Sequence, residues 1–296
     1  MQKIALIGLG AMGGGMARRI LSQKLPLAVY NRHSEAAAPL AKEGARVANS
    51  PADAARDADI VISMVADDRA SWSVWLGENG ALAAMKPGAV VVESSTLSPT
   101  WVAELAAAAA ARHCHMLDAP VTGSKSHAST GELLFLVGGD KEVLERVRPV
   151  FAVMGRGIIH LGAVGSGALM KLINNFLNGV QAAAFAEAWV LVERLGLETE
   201  KALDVITNGA PGSPIVKALS VRMANRDYQT NFHLRLMEKD LMYVIDVANQ
   251  EGFSLRSAQP ALELFRLASQ NGWGDKDFAA VIEPLREIAL SEHTKD

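Results

Sequence analysis

Cysteine occurs once in the 296 residues, at Cys114. A single thiol cannot close an internal disulfide or furnish a cysteine-rich zinc or iron–sulfur site, and it suits a reducing compartment. Charge is sparse too: 21% of the residues are charged and the formal net charge is −3, so no basic excess draws the chain to nucleic acid or an anionic membrane. Long unbroken apolar runs are missing. The most apolar long segment, Phe176 to Leu195, is interrupted by Asn178, Gln181, Glu187 and Glu193, which the hydrocarbon core of a bilayer would penalise. Lys3 precedes an apolar run as in a secretory signal, but glycines break the run and Arg18 and Arg19 follow closely. The expectation is a cytoplasmic protein working on small molecules, without membrane or nucleic-acid partners.

Half of the residues are hydrophobic, enough for a sizeable core, and the length fits two domains or one large one. Lys3-Ile4-Ala5-Leu6-Ile7 is a short apolar run that reads as a strand, and Met12, Met16 and Ile20 recur behind it at helical spacing. Between them Gly8-Leu9-Gly10-Ala11-Met12-Gly13 has the G-x-G-x-x-G spacing. Such glycines permit a tight turn, let a pyrophosphate approach the backbone, and let helix and strand pack closely, with the phosphates at the helix N-terminus. Glycine triplets also occur in purely structural turns; the strand before and the helix after supply the context a dinucleotide site requires.

The second strand, Leu27 to Tyr30, ends in Asn31-Arg32, where an acid would hold the ribose hydroxyls of NAD. No acid stands there. Neutral Asn31 and the forked guanidinium of Arg32 can bind the 2′-phosphate of NADP; the alternative is a surface arginine with no ligand. Alternation of strand and helix continues through β-branched runs at residues 59–65 and 89–93, as expected of a parallel sheet covered on both faces. Loops after these strands, carrying Val65-Ala66-Asp67-Asp68 and Ser94-Ser95-Thr96, are expected to line the cofactor cleft, with Val65, Ala66 and Thr96 as contacts. His113-Cys114-His115 brings metal-ligand types together, but no further ligands stand at a recognisable spacing, so no metal is expected and the histidines read as flanking a strand. Thr122-Gly123-Ser124-Lys125 is a polar glycine-containing loop that can cradle a carboxylate.

From Ser166 to Arg194 runs the longest helical pattern, with Leu169, Leu172, Ile173, Phe176, Val180, Ala183, Ala184, Ala188, Leu191 and Val192 at helical spacings. Lys171 and Asn175 stand four apart on one face, with Asn174 one step round it. An ammonium beside an amide can grip one oxygenated substrate. A helical lysine is more commonly a solvated surface residue, and the helix alone does not decide. Beyond it the strand signal fades, and helices are predicted near 199–208, 213–222, 233–251, 257–270 and 277–290. The expected fold is α/β: a doubly wound Rossmann-type domain over 1–163 that binds NADP, an interdomain helix over 164–194, and an all-helical substrate and dimerisation domain over 195–296.

Four stretches in order resemble the β-hydroxyacid dehydrogenase family, the relatives of 3-hydroxyisobutyrate dehydrogenase, over essentially the whole chain. They are Gly8 to Gly13 followed by Met16, DAPVTGSKSHASTGEL from Asp118 to Leu133, GSGALMKLINN from Gly165 to Asn175, and FHLRLMEKDL from Phe232 to Leu241. The resemblance implies that Lys171 is the catalytic lysine, that Thr122, Gly123 and Asn175 contact substrate, that Lys239 lies beside the cofactor, and that Phe232 borders the same cleft. It also implies homodimers or homotetramers, as does the apolar richness around Phe185, Trp189, Met242 and Val244. Thr122 and Ser124 stand where many members have Ser and Gly, and Glu132 replaces a common Thr. The Gly-Ser-Lys run and Asn31-Arg32 look most like the glyoxylate and succinic semialdehyde reductase branch, which prefers NADPH over NADH. The 3-hydroxyisobutyrate branch is the alternative. Imine reductases usually carry an acid or tyrosine in place of Lys171, and the non-catalytic scaffolds of this lineage lose that lysine.

Overall fold

In the computed structural model, which describes residues 2–293, the chain divides into two compact units, Met1–Lys171 and Leu172–Asp296. Among the described residues no helix is long and apolar enough to cross a membrane.

The first unit is built on one sheet of strands β1 (Ile4–Ile7), β2 (Leu27–Tyr30), β3 (Arg46–Val47), β4 (Ile60–Ser63), β5 (Val90–Glu93), β6 (His115–Asp118), β7 (Val121–Thr122), β8 (Leu133–Gly139) and β9 (Gly155–Gly162). Their order is β3-β2-β1-β4-β5-β6-β8-β7, with β9 beside β8. Every residue of β1, β4 and β5 is buried, as runs without polar alternation demand when both faces are covered. Helices α1 (Ala11–Ser22), α2 (Ala38–Lys42), α3 (Pro51–Ala55), α4 (Asp68–Leu76), α5 (Ala81–Ala84), α6 (Pro99–Ala111), α7 (Lys125–Thr130) and α8 (Lys141–Met154) supply that cover. Met16 and Ile20 of α1 and Leu144, Val147 and Phe151 of α8 join one core, where Phe151 stacks on Phe135 at 4.3 Å. Trp75, Leu82 and Leu105 belong to the other.

The sheet is parallel from β3 to β6, but β8 runs antiparallel to both β6 and β7. Only residues 123–132 separate β7 from β8, too few for a parallel crossover. The polar loop expected at 122–125 is therefore part strand and part helix, with α7 beginning at Lys125.

Helix α9 (Ser166–Arg194) carries the chain from the first unit into the second. Leu169, Ile173 and Leu191, placed above in the apolar pattern, are 38%, 47% and 56% exposed, and Ala184 and Ala188 are exposed as well. The buried stripe runs instead through Ala168, Leu172, Asn175, Gly179, Ala182, Ala186 and Trp189, alternating steps of four and three. One polar residue and one glycine sit in it. At Gly179 the fit is close: a Cβ there would lie 3.0 Å from Leu241 Cδ2 and 3.1 Å from Met237 Sδ, so those side-chain ends would have to give way.

In the second unit α10 (Thr199–Asn208), α11 (Pro214–Ala224), α12 (Leu234–Gln250), α13 (Ala258–Ala268) and α14 (Glu283–His293) complete the fold. The stretch expected as one helix from 277 begins as a 3-10 turn, Phe278–Ile282. Phe185 and Trp189, with Leu219, Met237, Leu241 and Phe265, form the unit's own core, and Val244 is buried too. Of the four residues named above for the expected dimerisation surface, Phe185, Trp189 and Val244 are buried and Met242 is 37% exposed. The buried Arg286 guanidinium ties α9 to the C-terminal helix through Glu193 at 2.9 Å and Glu283 at 2.6 Å, and donates to the Met223 carbonyl. Its pKa is raised: burial alone would lower it, but these two carboxylates outweigh that penalty.

Where α9 starts is fixed by Asp118 at the end of β6. Its buried carboxylate accepts the backbone N–H of Gly165 at 2.7 Å and of Ala168 at 2.8 Å, satisfying donors that a helix start leaves without partners. Gly167 allows the approach, since a Cβ there would meet the Leu136 carbonyl oxygen at 2.3 Å. Burial pushes the Asp118 carboxyl up to about 6 against the pull of those N–H groups. The folded chain thus binds this proton more tightly than the unfolded chain. That contribution is complete below the ordinary carboxylate range and is lost as pH rises through about 6. Asp118→Ala is expected to cost about 2–3 kcal/mol in chemical denaturation. The stability of the wild type relative to Asp118→Asn should fall by about 1–3 kcal/mol between pH 4 and 7. A difference independent of pH would show that this carboxyl titrates normally.

Candidate active site

Strand register sets the frame of the site. Ile7 pairs with both Tyr30 and Ser63, Ser63 with Glu93, and Glu93 with Asp118, so five neighbouring strands end level. The segments that follow them, Gly8 to Gly13, Asn31-Arg32, Val65-Ala66, Ser95-Thr96 and the chain beyond Asp118, stand side by side at the carboxyl edge, where open α/β sheets bind ligands.

Gly8 takes φ +93°, and a Cβ there would lie 2.3 Å from the Met64 carbonyl oxygen. At Gly13 it would lie 1.9 Å from the Gly8 carbonyl oxygen. Both glycines are thus required by the protein's own packing. Gly10 differs: a Cβ there would meet nothing within 4 Å. It precedes α1, whose N-terminus has no side-chain cap, so the helix start is left to other partners beside a position where the protein itself leaves room. That is the cradle a pyrophosphate requires. Leu9 is buried and donates its N–H to Asn31 Oδ1 at 2.9 Å, while Asn31 Nδ2 donates to the His33 carbonyl at 2.9 Å. Asn31 therefore shapes the turn through its amide, and Arg32 beside it is exposed.

A buried acid that sequence reasoning passed over organises the next two segments. Glu93 Oε1 accepts the Ser95 N–H at 2.9 Å, and Ser95 Oγ accepts the Val65 N–H at 2.8 Å, locking the ends of β4 and β5 together. Its Oε2 takes the Ser71 hydroxyl at 2.6 Å and the Trp75 indole N–H at 2.9 Å. An acid closing a wholly apolar strand was the available signal. Val65, Ala66 and Thr96 are half-buried on this scaffold.

Two residues separate Asp118 from β7, which ends in half-buried Thr122. Gly123 follows at φ +131°, a conformation open to glycine and strained for other residues. Ser124 caps α7: its hydroxyl lies 2.8 Å from His127 Nδ1, which also accepts the Ser124 N–H at 3.0 Å. The Ser124 hydroxyl is thereby engaged at the helix start, leaving the Thr122 hydroxyl and the backbone at Gly123 as the accessible donors. Lys125 is exposed.

Lys171 is half-buried on α9, and Asn175, one turn further along, is 3% exposed. Within the second unit Asn175 Nδ2 donates to Asp240 Oδ2 at 2.5 Å and its Oδ1 accepts from Asn174 Nδ2 at 3.1 Å. Lys239 Nζ lies 2.8 Å from Asp240 Oδ1 and 4.7 Å from the centre of the Tyr243 ring. Asp277 accepts the Phe232 N–H at 3.1 Å, and the Phe232 ring packs edge-on against Phe278.

Residues 3–162 match the NAD binding domain of 6-phosphogluconate dehydrogenase, and residues 165–285 match the NAD-binding of NADP-dependent 3-hydroxyisobutyrate dehydrogenase. The chain belongs to the β-hydroxyacid dehydrogenase family. An NAD-dependent L-serine dehydrogenase of Pseudomonas aeruginosa is 38% identical over 95% of this chain and 97% of its own length. The chloroplastic glyoxylate/succinic semialdehyde reductase 2 of Arabidopsis thaliana is 33% identical over 98% of this chain and 81% of its own. A 3-hydroxyisobutyrate dehydrogenase structure from Salmonella typhimurium superposes with a TM-score of 0.89 at 33% identity, covering 96% of this chain and 99% of that one. The protein is accordingly an NAD(P)-dependent oxidoreductase with a Rossmann-type domain, and the relatives' names span several substrates.

The two kinds of glycine in the turn make opposite predictions. Gly13→Ala should lower stability by about 3 kcal/mol or more, because its methyl has no room. Gly10→Ala should melt like the wild type but bind NAD(P)H at least about tenfold more weakly, a loss of 1.4 kcal/mol, in a fluorescence titration. Unchanged cofactor affinity in Gly10→Ala would remove the pyrophosphate from this turn.

Proposed function

We propose that the chain is an NADPH-preferring reductase of small aldehyde or keto acids, of the glyoxylate and succinic semialdehyde type, with Lys171 as proton donor. The observation that carries this reading is the common anchorage at Asp118: the Thr122-Gly123 segment leaves that strand end, and the helix bearing Lys171 is hydrogen-bonded to it. A cradle of neutral donors and an ammonium are thus built on one support.

The bound nicotinamide supplies a hydride. Reduction of a carbonyl leaves negative charge on its oxygen, and the Lys171 ammonium stabilises that charge and donates the proton. In the oxidative direction the neutral amine accepts the alcohol proton. The Thr122 hydroxyl and the Gly123 N–H hold the carboxylate and so orient the substrate toward Lys171. Asn175 is one turn from Lys171, close enough that a substrate gripped by one reaches the other. Arg32, with no acid beside it after β2, favours the 2′-phosphate of NADPH.

A second reading, oxidation of a 3-hydroxy acid with NAD, draws on the L-serine dehydrogenase relative and on the 3-hydroxyisobutyrate dehydrogenases among the similar proteins. Its alcohol carbon stands two bonds from the carboxyl carbon, between the one bond of glyoxylate and the three of succinic semialdehyde. Steady-state kcat/KM over glyoxylate, succinic semialdehyde, methylmalonate semialdehyde, L-serine and butanal separates the two. Glyoxylate or succinic semialdehyde should lead and butanal should trail, since donors built for an acid are left unpaired without one. Butanal outrunning every acid would refute the carboxylate cradle.

Lys171→Ala should lower kcat about a hundred- to ten-thousandfold while NADPH affinity stays within about twofold. Wild-type turnover in the folded variant would return Lys171 to the surface lysines. Arg32→Ala should erode the preference for NADPH over NADH by about ten- to a hundredfold, the value of 1.5–3 kcal/mol from one guanidinium–phosphate contact. Equal use of both cofactors by the wild type would end the NADPH assignment.

A further inference from the structure

Asp240 is 1% exposed on α12, between Asn175, which the proposed function employs, and Lys239, which the family resemblance places beside the cofactor. A carboxylate only accepts hydrogen bonds, so Asn175 must turn its NH₂ toward Asp240 Oδ2, 2.5 Å away. The amide cannot flip: its oxygen would then face a buried oxyanion. With the NH₂ fixed on that side, Asn175 Oδ1 takes the Asn174 donor at 3.1 Å, and the remaining N–H direction of Asn175 is set. Asp240's other oxygen is buried, with the Lys239 ammonium 2.8 Å away but off the line of a hydrogen bond. Lys239 also lies over the Tyr243 ring, so its ammonium is bracketed between a carboxylate and an aromatic face. A buried carboxylate that merely filled space would be costly to keep.

We propose that Asp240 is a positioning residue, one carboxylate that sets the amide orientation of Asn175 on its Oδ2 and the ammonium of Lys239 on its Oδ1. The inference rests on the reading above, in which Asn175 meets substrate, and on the family resemblance, which implies that Lys239 lies beside the cofactor. Two substitutions separate the two oxygens. In Asp240→Asn the amide oxygen can still accept from Asn175, while the neutral NH₂ no longer holds an ammonium. In Asp240→Ala both ties are lost.

The experiment measures NADPH affinity by fluorescence titration and steady-state KM and kcat with glyoxylate, for the wild type, both Asp240 variants, Asn175→Ala and the Asn175→Ala/Asp240→Ala pair. Asp240→Asn should weaken NADPH binding about five- to tenfold with the glyoxylate KM within about twofold of wild type. Asp240→Ala should weaken NADPH binding similarly and raise the glyoxylate KM about tenfold or more. Adding Asp240→Ala to Asn175→Ala should raise KM no further, because the carboxylate acts on substrate only through that amide. Should Asp240→Ala not fold, the split between NADPH affinity and KM in Asp240→Asn still decides. Equal shifts of both quantities in Asp240→Asn, or no shift in either, would overturn the proposal, as would full additivity in the double variant. If the wild type reduced no acid at all, the substrate reading would fail on its own, and unchanged NADPH affinity in Asp240→Asn would separately refute the positioning of Lys239.

Discussion

The Asp118 carboxylate holds the first turn of α9 against the end of β6 through the N–H groups of Gly165 and Ala168, and the placing of Lys171 depends on that tie. Lys171 stands one turn beyond Ala168, so its place is set by where the helix begins. The same strand end leads through Ala119 and Pro120 into Thr122 and Gly123. A shift of the helix start by one residue would rotate Lys171 by about 100° about the helix axis. Anchoring by a buried side chain is stiffer than anchoring by a solvated loop, and buried charge is tolerated here because backbone donors converge on it.

Buried carboxylates do comparable work at two other joints. Glu93 locks the ends of β4 and β5 through Ser95 and Val65, and Asp240 joins α9 to α12 through Asn175. Each collects donors from a segment distant in sequence and spends no exposed surface on it. Removing such a group strands its donors without water, which is why a change at one of these positions is felt beyond its own contacts.

The sheet and its order of elements were legible in the sequence because Ile4 to Ile7, Ile60 to Ser63 and Val90 to Val92 carry no polar alternation and the glycine turn punctuates the first of them. The span of α9 was legible for a similar reason, with Gly165 before it and Gly196 after it. Its inward face was not: periodicity was counted on apolar residues, whereas the buried stripe includes Asn175, held by Asp240, and Gly179, which admits Leu241. The antiparallel return of β8 was missed because pairing direction depends on connection length, and α7 is too short to announce itself in a run of Ser, His and Thr. Lys171, Thr122 and Gly123 could be picked out as residue types in suggestive stretches. Glu93 carried only the signal of an acid closing an apolar strand, and the roles of Asp118 and Asp240 were not legible, since an acid shows its purpose only when its distant donors are known.

The central claim, that the amine of Lys171 delivers the proton during reduction, is tested most directly by chemical rescue. Turnover of the Lys171→Ala variant with NADPH and glyoxylate would be followed as small primary amines of graded basicity are added. The account predicts that amines restore kcat by about tenfold or more, in an order that follows their pKa values. No restoration by any amine, in a variant that still folds and binds NADPH, would contradict it.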